Sequence, residues 1–149
     1  EVLVYVAKLP QDTPALPLLK AASELEHLAD LAKRALRKAE RLWTQGVTFS
    51  PEGKAELARI VERTLARLER ALTALATGNR ALAERVLAEY PEVLAEVEVS
   101  REAHLRRLRD RVETRASTLT HLDLLLLLEE LNLGVNRLAR LVEEIHKEG

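Results

Sequence analysis

The chain has 149 residues, a net charge of -1, 32% charged and 3% aromatic residues, and neither Cys nor Met. That length suits one domain able to bury roughly 70% of its unfolded surface; the missing Cys removes disulfide frameworks, thiolate metal sites and cysteine nucleophiles. A near-neutral balance with few rings offers neither a field for nucleic acid or an anionic membrane nor a platform for stacking bases, so no nucleic-acid partner is expected.

A chain that starts at Glu1 without any Met is expected to be processed or a piece of a longer protein. Residues 1–14 carry VLVYV, a β-favouring run stopped by Pro10 and too short for a bilayer, which takes about 20 apolar residues. They read as an N-terminal arm or linker, with a partner-binding or membrane-exit segment as the alternative, and residues 15–149 as a helical bundle domain. From Ala15 or Leu18 to about Gln45, Leu18, Ala21, Leu25, Leu28, Ala32, Ala35, Ala39 and Leu42 follow three/four spacing, with Thr13 and Pro14 as the start signal and Gly46 as the stop. Ser50 and Pro51 restart helix, and Leu57, Val61, Thr64, Leu68, Ala71 and Leu75 form a second seam before Gly78.

Asn79 can cap a third helix in which Pro91 predicts a kink near Ala88, and whose seam turns polar at Arg101 and His104 before Leu108 and Val112. Ser117 or Thr120 is expected to cap the fourth helix, to Ile145. Its residues Leu124, Leu128, Leu131, Val135, Leu138, Val142 and Ile145 make one seam, while Leu122, Leu125, Leu126, Leu127, Leu133 and Leu141 fill two further faces. So apolar a helix needs several neighbours. Helices of about 28 residues, about 42 Å long, joined by short loops, predict an all-α, up-down-up-down antiparallel four-helix bundle. Few amides beside abundant Arg, Glu, Leu and Ala point to a heat-adapted source.

LEHLADLAKRAL at 25–36 aligns with LEELNLGVNRLA at 128–139, so the first and last helices look like copies of one element. Glu26 and Asp30 put two carboxylates on one stripe, Glu129 is the matching residue of the second copy, and antiparallel copies would set Asp30 opposite Glu129. These three are the candidate metal ligands; the competing reading is a salt-bridged flank, with Arg34 or Arg137 reaching Asp30 or Glu129. Glu143 with His146 has a Glu-x-x-His spacing but lies at a terminus. Arg106, Arg107 and Arg109, in the arginine-rich end of the third helix, are candidates for an anion or partner contact, weighed against a solvated face because Glu102, Asp110 and Glu113 interleave. No phosphate-loop, dinucleotide or nucleophile-elbow motif occurs, and no enzyme is expected.

In order, DTPALPLLKAASELEHLAD, GNRALAERVLAEYPEVLAEVEVSREAHLRRL and STLTHLDLLLLLEEL resemble the PhoU-like cytoplasmic domain of bacterial sodium/phosphate cotransporters. The resemblance implies a PhoU-like fold and a non-enzymatic regulatory or interaction role in phosphate transport, at the inner face of the cell membrane. Its partners would be a transmembrane transporter domain, on the same chain or a separate one, or a second copy in a homodimer. A free-standing PhoU-like regulator of phosphate uptake is the runner-up, and a carboxylate-bridged metal-binding protein the rival from another class. In that family a Glu-x-x-x-Asp motif binds iron or zinc, and it falls on Glu26 and Asp30. The second copy keeps Glu129 but has Leu133 for Asp and Gly134 for His, so no cofactor is expected. With about one and a half of the family's two three-helix repeats, the chain looks like a shortened variant.

Overall fold

The computed structural model describes residues 15–110 and 114–147; the arm and the Thr13/Pro14 start signal lie outside them. Five helical segments, α1 Ala15–Thr44, α2 Pro51–Thr77, α3 Arg80–Ala88, α4 Tyr90–Arg109 and α5 Arg115–Ile145, form an all-helical bundle with no strand among the described residues. No described helix is long and apolar enough to cross a membrane.

Local chemistry sets the ends. Ser50 Oγ accepts from the Gly53 N–H at 3.1 Å with Pro51 in the first turn, and Gly78, at φ 70, closes α2 in the left-handed conformation that glycine tolerates. Asn79 Oδ1 accepts from the Leu82 N–H at 3.0 Å and opens α3. The last helix begins earlier than the expected cap at Ser117 or Thr120. Thr114 caps it instead, accepting from the Ser117 N–H at 3.1 Å, while Ser117 is buried and its hydroxyl donates to the Thr48 carbonyl.

The kink predicted by Pro91 is a break: α3 ends at Ala88, Glu89 caps it, and α4 restarts at Tyr90. Proline has no N–H for the preceding turn, so carbonyls there need other donors. One is supplied from α2: Arg67, wholly buried, donates through Nε and Nη2 to the Val86 carbonyl at 3.3 and 2.9 Å. The same guanidinium reaches Asn132 Oδ1 at 2.6 Å and Asn136 Oδ1 on α5, and sits 5.6 Å from the Tyr90 ring centroid. Asn132 in turn donates to Thr64 Oγ1 and to the Leu128 carbonyl, both at 2.8 Å. A polar strut therefore crosses the core from α2 to α5.

Ion pairs show the running directions. Lys20 meets Glu144 at 3.5 Å, Glu24 meets Arg137 at 2.8 Å and Lys38 meets Asp123 at 3.1 Å, so α1 runs against α5. Thr64 beside Asn132, and His146 Nε2 donating to the Leu75 carbonyl at 2.6 Å, show α2 running with α5. Arg63 to Glu92 at 3.1 Å and Glu56 to Arg107 at 2.8 Å set α4 against α2. No described Cα of α1 comes within 8 Å of α2, α3 or α4; α5 is its one close neighbour. At Gly134 that approach is close enough that a Cβ would collide with Leu28 and lie 2.7 Å from Glu24 Oε1.

This arrangement revises the first two seams. On α1, Ala21, Leu28, Leu31 and Leu42 are buried, whereas Leu25, Ala32 and Ala39 are exposed. On α2, Ile60, Arg67 and Ala74 are buried and Val61 is exposed. Three/four spacing gives the phase of a buried face but not its width, and among the described residues α1 has one close neighbour. At 100° per residue, the flank of α1 bearing Leu25, Leu36 and Trp43 lies opposite its ion-paired flank, as the flank of α2 bearing Leu65 and Leu72 lies opposite Arg63 and Arg70. Both apolar flanks thus border the open cleft that the lack of close α1–α2 approach leaves between these helices, and Leu131 of α5 packs against both core clusters.

Candidate functional site

At the end of the bundle where α2 and α5 begin and α4 finishes, four polar residues meet in the interior. Glu56 lies on α2, Ser100 and His104 one turn apart on α4, and His121 on α5. Ser100, His104 and His121 are all buried. The two imidazoles stack with centroids 3.7 Å apart and planes 21° apart, and Phe49, from the α1–α2 loop, sets its edge against both, at 6.5 and 5.3 Å.

Donor and acceptor roles follow from chemistry. Arg107 Nη1 and Nη2 donate to the two Glu56 oxygens at 2.8 Å each, a forked pair, and Nη2 also donates to His104 Nδ1 at 2.9 Å. Arginine only donates, so His104 carries its proton on Nε2. Ser100 Oγ donates to Glu56 Oε2 at 3.0 Å, and its contact with His121 Nε2 at 3.2 Å therefore has the histidine as donor. That leaves a bare lone pair on His121 Nδ1, which is buried and makes no hydrogen bond among the described residues. Burial, then the His104 ring and the Arg107 charge, push His121 down to about 3, against the opposing pull of Glu56. Burial raises the Glu56 carboxyl, but hydrogen bonds from Arg107 and Ser100 and the Arg107 charge hold it below its ordinary value. The His121 ring is therefore held neutral, and Glu56 is ionised and paired. Among the described residues, Glu56, His104 and His121 are the one trio of His, Asp and Glu side chains with ligand atoms all within 4.8 Å of one another.

The sequence-predicted carboxylates are not gathered. Glu26 and Asp30 are exposed on α1, whereas Glu129 is half-buried and accepts from Arg101 Nη2 of α4 at 3.1 Å. Glu129 lies roughly 100° around α5 from the stripe of Asp123, Arg137 and Glu144 that meets α1, so equal height along the bundle does not make it face Asp30. The expected compensation by Arg34 or Arg137 changes partners too: Arg101 serves Glu129, and Arg137 holds Glu24 through two bonds of 2.8 and 2.9 Å. The arginine group is split as well. Arg107 turns inward onto Glu56, while Arg106 and Arg109 are exposed over shallow hollows shared with Glu52, Glu102 and Asp110. Carboxylates and guanidinium groups are mixed in both hollows.

Comparison with family models, curated proteins and solved structures returns no match. The buried trio had a faint sequence signal. His104 interrupts the α4 seam, and His121 sits three residues before Leu124 on the α5 seam, both apolar positions by spacing. Glu56 gave none, being an ordinary acidic residue beside Leu57.

Proposed function

We propose that the chain is a non-enzymatic regulatory and interaction domain of the PhoU-like kind, its helices in up-down-up-down order, acting on a sodium-dependent phosphate cotransporter from the cytoplasmic side. The observation that carries this reading is the apolar cleft between α1 and α2. Leu36 is 70% exposed, Trp43 79% and Leu65 59%, with Leu25 and Leu72 beside them. Contiguous apolar surface bordered by polar residues is characteristic of a docking face. Ser100 donates to Glu56 and is 2% exposed, so its hydroxyl is not reachable as a nucleophile. The transmembrane domain of the cotransporter is the expected occupant, with a second copy of the chain as the other outcome.

The test measures sodium-driven phosphate uptake into vesicles that carry a bacterial sodium/phosphate cotransporter membrane domain, with and without this domain inside. The expected result is a changed uptake rate that is restored to the starting value by Leu65→Glu with Leu72→Glu, both exposed. Uptake indifferent to the domain, or altered equally by parent and double variant, would sink the reading.

A further inference from the structure

We propose that Glu56, His104 and His121 form an exchangeable site for a divalent cation of the zinc class, in which the Arg107 guanidinium holds the cation's place. The donor set comes first. Two imidazoles and one carboxylate suit zinc and cobalt, and suit magnesium or calcium poorly because those prefer oxygen. The three side chains come from three different helices and converge in the interior, with His104 and His121 fully buried and Glu56 14% exposed. Arg107 bonds both carboxylate oxygens and one imidazole at once, which is what a bound cation would do at the same point.

The geometry also says what has to move. Ligand atoms within 4.8 Å of one another must close to about 3.3 Å for a tetrahedral ion with bonds of about 2.0–2.1 Å. Stacked rings hold their lone pairs in two nearly parallel planes whose centroids are 3.7 Å apart, so one imidazole has to turn for both to reach a single ion. His121 Nε2, 4.0 Å from Glu56 Oε2, becomes a ligand when its proton passes to the bare Nδ1. Arg107 needs somewhere to go, and it lines a solvent-open hollow of about 450 Å³ with Glu52 and Asp110. Those carboxylates, which share the hollow with Arg106, can take the guanidinium that the ion displaces.

This arrangement predicts an unusual sign: removing a positive residue beside the trio should tighten cation binding. Zn²⁺ and Co²⁺ are titrated into the chain and its variants, following heat and, for Co²⁺, the visible spectrum that reports coordination number and nitrogen ligation. The expected result is one ion per chain, bound about tenfold or more tightly by Arg107→Ala, and about tenfold or more weakly by Glu56→Gln and His121→Gln. Glu26→Gln with Asp30→Asn, on the exposed face of α1, should change nothing. Melting curves show which variants fold; if His121→Gln does not, Arg107→Ala and Glu56→Gln decide. No ion taken up by parent or Arg107→Ala at millimolar metal, an Arg107→Ala affinity no higher than the parent's, or binding that depends on Glu26 and Asp30 would each overturn the proposal.

Discussion

A guanidinium with no water around it must be met by acceptors that the fold already holds in place. Arg67 is met by the Val86 carbonyl, Asn132 Oδ1 and Asn136 Oδ1, and burial still lowers its affinity for the proton, with Glu89 opposing. Arg67→Ala removes the donor and leaves those three acceptors in the core unsatisfied, so it should destabilise the fold by about 3–5 kcal/mol. Urea titration reads the loss, and a change below about 1 kcal/mol would mean that the strut is ornamental. His121 makes a prediction of opposite origin. Its folded value of about 3 lies below the ordinary 6.5, so below pH 6.5 the unfolded chain takes up a proton that the folded one refuses. Stability is therefore complete above pH 6.5 and falls as the pH drops towards 3, by up to about 1.4 kcal/mol per unit. Between pH 6.5 and 4.5, His121→Gln should flatten that slope; an unchanged slope would assign acid lability to other groups. Neither residue could be placed from the sequence. Arg67 falls between two seam positions and looks like a solvated flank, and a lone histidine on a helix gives no sign of the ring stacked on it from another helix.

At the level of elements, legibility tracked the number of neighbours. The last helix was read well because apolar residues on several faces demand burial whichever helix lies alongside, and Leu124, Leu128, Val135, Leu138 and Val142 are all buried. The first helix was read half correctly, since periodicity says that one face is buried but not how wide it is; Leu31 is inside and Leu25 outside. Two substitutions separate these cases. Leu128→Asp places an unpaired charge among Leu57, Ile60 and Leu125 and should cost several kcal/mol, enough to abolish cooperative melting; an intact melt would show that α5 is not the core. Gly134→Val wedges a branched side chain against Leu28 and Glu24 of α1. Its expected cost is about 1–3 kcal/mol. The expectation built on family resemblance treated Gly134 as a missing ligand, whereas in the structure it is the residue that lets two helices touch.

For the whole molecule, the decisive feature is that, among the described residues, α1 is attached along one side. A helix of 30 residues with one close neighbour among the described residues shows an exposed apolar flank, and α2 shows another turned towards it. Burying such surface releases roughly 25 cal/mol per Å², so a partner helix or a flat apolar face laid there would gain most from Trp43, Leu36 and Leu65, the most exposed large residues of the two flanks. Trp43 is the only tryptophan in the chain, which makes the cleft directly visible. In the domain alone, its emission should be that of a hydrated indole and acrylamide should quench it freely. Seating a partner in the cleft should shift the emission to the blue and protect it, and Leu65→Glu, on the facing wall, should prevent both changes without lowering the melting temperature. The two occupants then differ in concentration dependence. A shift that grows with the domain's own concentration identifies a second copy, and one that appears only with cotransporter in the membrane identifies the transporter domain. If binding to that membrane is measured while Trp43 stays as exposed as before, the docking face lies elsewhere on the bundle, and the cleft loses its claim to carry the regulatory contact.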